Sequence, residues 1–579
     1  MPQRTEKENK TIQLVLDAFE SSRRASYRQY KAEVWDKCYK AWRGYVEKYI
    51  PRKSNLFIPI TQQTVETIVS REMTAIFNEN GRIFQFEPRQ ASYQGNADIL
   101  TEYVNYDFLR VPHVYRKFRK FLTQLHIYGT SILRVFWDYK EFRQPAVDEN
   151  GKPFQKLIFD RDQFNFDVVP VRNFYIDPRA DNLQDAKWVI TRSIVDREIF
   201  KEQMKALEYR KLSMQEIDRI STARVRPEYD DTFSDLDNLE AIALDSDRQF
   251  IEVIEYWSRQ TDRFITIAGG EYVVRDEPIP FDHKQYPFIV CVDIPDPEHF
   301  WGLSTVEVIH DLQHELNSLR NNRMDKANFL LNPMFKVQQG EVLNRSELIS
   351  RPGGIVRVRA MDGLSPMEMG DMSSSDYNEE QIIKGDIQTT TGISDFALGQ
   401  TSPRYSETAT GVSILSSNAD SRIMTKIHYI QEEGLGPLGR QWLSLQKQFG
   451  KNSEIFRVTG KDVLFEKEML THPMDVRVLA STQMINKQVR QNQVMQLAQL
   501  VLNNPSVNQE EWLRLVFETF NFPVNKLLIG PQPTPPAPEA EALQRFQGAQ
   551  QPETPGNTQP TEQGNLEGYD FVQGRPVNA

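Results

Sequence analysis

Apolar residues recur at helical spacing near the start of the chain and then shift to strand spacing. Ile12, Leu14, Leu16 and Phe19, followed by Tyr30, Trp35, Tyr39 and Trp42, stand among charges and predict helix over 12–48, stopped by Pro51. A short extended stretch over 55–59 leads into a second helix over 61–77, with Val65, Ile68, Val69, Met73 and Ile76 on one face. Phe84 and Phe86 alternate with polar neighbours as a strand. The pattern over 98–128 is helical again, interrupted near Pro112, and 131–137 is a β-rich run. From there to 295, strand-like segments dominate: 166–170, 173–176, 188–193, 251–257, 264–268 and 288–292, with Gly269-Gly270 turning a hairpin. Helix is expected over 196–222, and 228–247 is acidic and aperiodic, which reads as a surface loop.

The second half changes character. Ser304 and Glu307 form a capping-box signature that opens a helix to about 331, where Asn332-Pro333 ends it. Ile309, Leu312, Leu316 and Leu319 give that helix its apolar line. Short strands are expected over 335–338 and 355–359, around Pro352-Gly353-Gly354. A second polar helix over 376–391 begins with Asp376 and Glu379 and stops at Gly392, a residue suited to a left-handed helix cap. After the loop 393–407 comes a helix over 408–449, interrupted at Gly434-Leu-Gly436-Pro437. Strands return over 455–480, and helices over 483–503 and 508–521 follow. Past Gly530 the composition turns to Pro, Gln, Glu and Gly, with too little apolar surface to offset ordering entropy, so disorder is expected. The fold class is α+β.

Composition narrows the options. No apolar run approaches the ~18–20 residues that span a bilayer, so no membrane insertion is expected. The charged first ten residues do not read as a secretory signal. Cys38 and Cys291, far apart, cannot build a disulfide framework and fit a reducing compartment. Formal charge is −11, from 80 acidic and 69 basic residues, the opposite of a protein that grips DNA phosphates tightly. An acidic chain can still handle DNA, provided its task is to let the DNA slide instead of holding it.

Candidate chemistry is sparse. His310 and His314, four apart on one helix with Glu307 a turn earlier, could share a zinc ion, but Asp311 stands where a zincin needs glutamate; helix packing is the competing reading. Gly434-Leu-Gly436-Pro-Leu-Gly439 matches a dinucleotide pattern, yet it follows a helix and Pro437 removes a donor, so a kink is expected there. No phosphate-binding Walker loop or serine nucleophile elbow occurs, and no cofactor is expected. The run Arg116-Lys117-Phe118-Arg119-Lys120 reads either as a phosphate contact or as a solvated helix face. Arg320, Arg323 and Lys326 repeat every three residues on the 304–331 helix, opposite acidic candidates Glu380 and Asp386 on the next.

The loop is framed by Thr389-Thr-Thr-Gly392-Ile393 before it and Ser406-Glu-Thr-Ala-Thr-Gly411-Val412 after it. With Thr64-Val-Glu-Thr-Ile68, with Gly302-Leu-Ser304 and with the element order over 50–525, these phrases resemble the portal (head–tail connector) proteins of tailed double-stranded DNA bacteriophages. The long acidic stretch 228–247 departs from that pattern and puts the outer wing in doubt. The resemblance implies a portal-like subunit assembling into a ring: an N-terminal α+β wing over 1–301, a first stem helix over 302–332, a clip over 333–369 and a second stem helix over 370–392. A tunnel loop over 393–407, a long kinked helix with returning wing strands over 408–482, a helical crown over 483–530 and a disordered tail over 531–579 complete it.

By the same resemblance the chain is a non-enzymatic homo-oligomer, dodecameric in the family, at one capsid vertex of the virion, present in host cytoplasm during assembly. Genomic double-stranded DNA would pass through it during packaging and ejection. The expected partners are the terminase large subunit, capsid and scaffolding proteins, and a tail or neck adaptor. Gln400, Thr401, Ser402, Arg404 and Tyr405 would line the DNA channel. Leu312, Leu316, Arg320, Arg323, Lys326, Glu380 and Asp386 would serve the stem and subunit interface, and Arg351, Arg357 and Arg359 motor docking. The competing readings are a zinc-dependent hydrolase using Glu307, His310 and His314, and a neck or tail adaptor ring.

Overall fold

A computed structural model of the chain describes residues 5–45, 51, 53–77, 82–147, 153–206, 209–222, 250–332, 334–339, 345–348, 355–367, 374–393, 422–458, 461–479, 494–495, 497, 501 and 509–520. The chain divides into two compact units, Met1–Asn486 and Lys487–Ala579.

In the first unit the expected helix over 12–48 is two helices, α1 (Glu6–Arg23) and α2 (Ser26–Arg43). The break has a tertiary cause. Ile12, Val15 and Phe19 of α1 pack on a sheet with Tyr175, Ile190 and Ile254, whereas Ala32, Trp35 and Cys38 of α2 belong to the main core. One straight helix cannot reach both, so the chain turns at Ala25, which is extended. Then follow α3 (Ile60–Ile76), β1 (Phe84–Pro88), α4 (Gln94–Arg110) and α5 (Val114–Tyr128). Lys117, within the basic run, is turned inward and donates to Asn165 Oδ1 (2.7 Å) and the Phe166 carbonyl (2.9 Å).

Among the described residues the strands pair antiparallel, as is usual in an α+β fold. β2 (Thr130–Val147) and β3 (Pro153–Val169) form one long hairpin, well beyond the two short runs expected, and β9 (Phe288–Val292) pairs only with its Thr130–Arg134 end. A five-stranded sheet is ordered β4 (Phe174–Ile176), β5 (Val189–Asp196), β6 (Phe250–Ser258), β7 (Arg263–Ala268), β8 (Tyr272–Glu277). The expected helix over 196–222 is split into α6 (Arg197–Ala206) and α7 (Met214–Thr222); the acidic stretch 228–247 lies outside the described residues.

Next come the long α8 (Thr305–Leu331), β10 (Phe335–Val337), β11 (Leu364–Pro366) and α9 (Ser374–Thr391). β10 pairs with β11, not with 355–359: a 3-10 turn at Met361–Gly363 brings the chain back, and Pro366 sits at the strand end, where a missing donor costs no interior bond. Helix α10 is described over 422–449. Its expected interruption is no break: Ile430–Leu435 winds as a π-helix, which accommodates Pro437, and the helix continues through Gly436–Phe449. β12 (Ser453–Val458) pairs with β13 (Lys461–Glu466), and β14 (Met474–Val478) returns to pair with β1. In the second unit, α11 (Gln509–Thr519) is the main described element; the tail 531–579 lies outside the described residues.

The Gly302-Leu-Ser304 phrase has a packing reason. Gly129 (φ +77°) ends α5, and a Cβ there would lie 2.5 Å from the Gly302 carbonyl oxygen; a Cβ on Gly302 would lie 2.0 Å from Val292 Cγ1. Two backbones cross in contact, tied by Gly302 N–H to Thr130 Oγ1 (3.1 Å) and by the Ile294–Leu303 bridge. Gly302→Ala should therefore lower stability by about 3 kcal/mol, read as a reduced urea midpoint. Gly95→Ala, within α4 and with nothing within 4 Å of its Cβ, should raise stability by about 0.5–1 kcal/mol instead.

Candidate functional site

The features that the sequence singles out converge on the α8–α9 hairpin. Ser304 Oγ accepts the Glu307 N–H (2.8 Å) and Glu307 Oε2 accepts the Ser304 N–H (3.3 Å), completing the capping box. The same carboxylate holds the fully buried Lys31 ammonium at 2.9 and 3.1 Å. Glu307 is thus fully engaged and has no part left for zinc. His310 Nδ1 faces Asp311 (3.1 Å), and among the described residues no group of three or more His, Cys, Asp or Glu is arranged to hold a metal.

The two helices close a small core of their own from Ile309, Leu316, Ile383 and Ile387, with Leu312 and Leu319 half-buried beside it. Leu316, expected at a subunit interface, lies inside this seam. Arg320 (2.8 Å) and Arg323 (2.7 Å) likewise turn to Glu380 of the same chain, joined by Lys384 (2.9 Å). Burial works against the Glu380 charge, but Lys384, Arg320 and Arg323 outweigh it and lower the pKa. Lys326 and Asp386 stand on exposed positions. Beyond α8, Arg357 and Arg359 are exposed, the Arg357 N–H bonding Glu347 Oε2 (2.9 Å), while Arg351 lies outside the described residues. Leu331 and Ile355, near β10, are 74% and 75% exposed.

One face of α8 carries Gln313, Asn317, Asn321 and Asp325, each four residues from the last. These side chains accept, in order, the backbone N–H groups of Thr61 (3.1 Å), Ile58 (3.0 Å), Leu56 (2.7 Å) and Ser54 (2.6 Å). Gln313 and Asn321 also donate back to the carbonyls of Ile58 (2.8 Å) and Leu56 (3.1 Å). From Asn317 to Asp325 the spacings match, since four helical residues rise about 6 Å and the two residues between Ile58, Leu56 and Ser54 about 6.6 Å. Three side-chain amides and the Asp325 carboxylate thus act as a neighbouring strand for the segment 54–61, satisfying backbone groups that no sheet serves.

At the base of α8, Asp293 is wholly buried. Its Oδ2 accepts from Thr305 N–H (2.8 Å) and Thr305 Oγ1 (2.6 Å), and it pairs with Lys426 of α10 and with His126 of α5 (3.3 Å). His126 Nε2 reaches Glu72 of α3 at 2.8 Å, and Lys426 also bonds Thr305 Oγ1 (2.7 Å). Burial alone would push the His126 imidazole down, but Glu72 and Asp293 on either side hold it up at about 9. Burial likewise opposes the Asp293 charge, and His126 and Lys426 keep its carboxyl well below the usual range. The network ties α3, α5, α8 and α10 to the end of β9.

α9 ends as expected at Gly392 (φ +74°), and Ile393 is buried. The chain returns at Arg422, whose Nη1 donates to the carbonyls of Thr389 (2.7 Å) and Thr390 (3.1 Å). A cleft of about 380 Å³ lies here, lined by Thr305, Val308, Thr390, Arg422, Lys426 and Tyr429 among others. The loop candidates Gln400, Thr401, Ser402, Arg404 and Tyr405 lie outside the described residues. Sequence reasoning missed the amide row, His126, Asp293, Lys426 and Arg422; only the amide row left a signal, its period of four.

A family model described as phage SU10 portal protein matches residues 154–553, well over half of the chain. No curated protein matches it. Among the described residues no helix is long and apolar enough to cross a membrane.

The buried network makes stability depend on pH. Because the folded pKa of His126 lies above its ordinary 6.5, its contribution is complete below about 6.5 and is lost as pH rises through about 9. Thermal melting of the wild-type chain should fall across that window by the equivalent of a few kcal/mol, and His126→Gln should melt lower but lose this slope. An unchanged slope in the variant would assign it to other groups.

Proposed function

The chain belongs to the phage SU10 portal protein family, and from that membership we propose that it forms, as a closed homo-oligomeric ring at one capsid vertex, the passage through which genomic DNA is packaged and later ejected. The supporting observation is the α8–α9 hairpin, fastened to the body at one end by the Asp293 network and carrying the β10–β11 pair at the other. In this reading 302–332 and 370–392 are the stem helices, 333–369 the clip and 393–407 the tunnel loop, with 1–301 and 408–482 the wing, 483–530 the crown and 531–579 the tail. The ring is dodecameric, as the resemblance implies. Heterologous contacts that close on themselves generate such cyclic symmetry.

The family is structural and non-enzymatic, and the energy for packaging would come from a separate terminase motor. Arg351, Arg357 and Arg359 would dock that terminase large subunit, and afterwards a tail or neck adaptor. Gln400, Thr401, Ser402, Arg404 and Tyr405 would make weak, register-free contacts with moving DNA, Arg404 supplying one exchangeable phosphate contact per copy. Lys326 and Asp386 would face neighbouring copies, with Leu312, Leu316, Arg320, Arg323 and Glu380 shaping that surface from the seam behind. Capsid and scaffolding proteins would surround the ring in the virion, after assembly in the host cytoplasm.

Negative-stain images of the purified chain should show closed rings with an axial channel; monomers alone would overturn the reading. Replacing 334–367 by a short Gly-Ser turn should leave rings standing while abolishing capture of the terminase large subunit in a pull-down. Undiminished capture would move the docking role elsewhere.

A further inference from the structure

The two ends of the α8–α9 hairpin nearest the body are both held from one turn of α10. We propose that Arg422, with Lys426 one turn on, is a positioning residue for genome passage, keeping the end of α9, and with it the exit to 394–421, in fixed register with the start of α8. This rests on the reading that 393–407 meets the DNA.

Three observations carry it. Arg422 Nη1 donates to both Thr389 and Thr390 carbonyls, which lie in the last turn of α9 and lack intrahelical donors; a cation there also meets the negative end of the helix dipole. A Cβ on Gly392 would lie 2.9 Å from Arg422 Cδ, so the glycine that ends α9 also leaves room for the arginine stem across it. Lys426, four residues on and therefore on the same face, bonds Thr305 in the first turn of α8 and Asp293, the carboxylate after β9 that accepts the Thr305 N–H. Residues four apart thus grip the C-terminal end of one hairpin helix and the N-terminal end of the other. A cleft of about 380 Å³ lies between the two grips, lined by Thr305, Thr390, Thr391, Arg422 and Lys426 among others.

The two grips differ in surroundings. Lys426 is part of the buried network, so its loss disturbs folding, whereas Arg422 is exposed and, among the described residues, its side chain donates to the Thr389 and Thr390 carbonyls. Arg422 is therefore the residue to test.

Full-length chains carrying Arg422→Gln or Arg422→Lys would be assembled into rings and into particles. R422Q should form rings and melt close to wild type. The amides of its last α9 turn should exchange with deuterium about tenfold faster, the shift expected from one lost charge-assisted contact. DNA-filled particles should fall with it, and R422K, which keeps a charge and a donor, should restore both. Faster exchange with wild-type filling would make Arg422 a structural cap only and overturn the proposal, as would unchanged exchange. A chain lacking 396–418 separates this outcome from the loop reading. If that deletion fails to fill particles while R422Q fills them normally, the proposal falls and the loop reading stands. If the deletion fills particles normally, the loop reading falls and the proposal falls with it, whatever R422Q does.

Discussion

A single buried carboxylate, Asp293, is the junction on which the arrangement turns. It receives the first backbone N–H of α8, the imidazole of α5 and the ammonium of α10, each from a different part of the chain. A charge so far from water is tolerable only when fully paired, and removing any one partner leaves the others unbalanced. The position of α8 relative to the body is therefore over-determined at its first turn. Lys31 on Glu307 repeats the device beside it with another buried charge.

Farther along, α8 is held by quite different means. The amide row binds the segment 54–61 through neutral hydrogen bonds for most of its length, and the hairpin seam supplies apolar contact and the three-cation cluster on Glu380. Rigid ionic anchorage at the base thus passes into shorter-range, direction-specific bonding along the shaft. Such a gradient suits an element that must be placed accurately at its root and present its far end to other molecules.

Much of the fold could be read from the sequence because it depends on local rules. The Ser304–Glu307 box, the Gly392 cap and the apolar, β-branched runs of the five-stranded sheet each declare themselves within a few residues. The split between α1 and α2 did not, because it reflects two separate packing targets. The pairing of β10 with β11 was hidden because strand partners are not encoded in either strand alone. The Asp293 network was illegible for the same reason: His126 and Lys426 look like any helical histidine and lysine until folding brings together residues far apart in the chain. Glu307, readable both as a cap and as a competing zinc ligand, serves as the cap and as the counter-ion of Lys31.

The amide row has a consequence in the company of nucleic acid. DNA carries a dense atmosphere of counterions, and around it the reach of exposed charge pairs shrinks to about 3 Å at molar ionic strength. Surface pairs such as Arg89–Asp475 would fade there. Gln313, Asn317 and Asn321 carry no net charge to be screened, so the grip of α8 on the chain from Leu56 to Thr61 would hardly register the passage of a polyanion. A shaft fastened by amides is, in this sense, electrically deaf to its cargo.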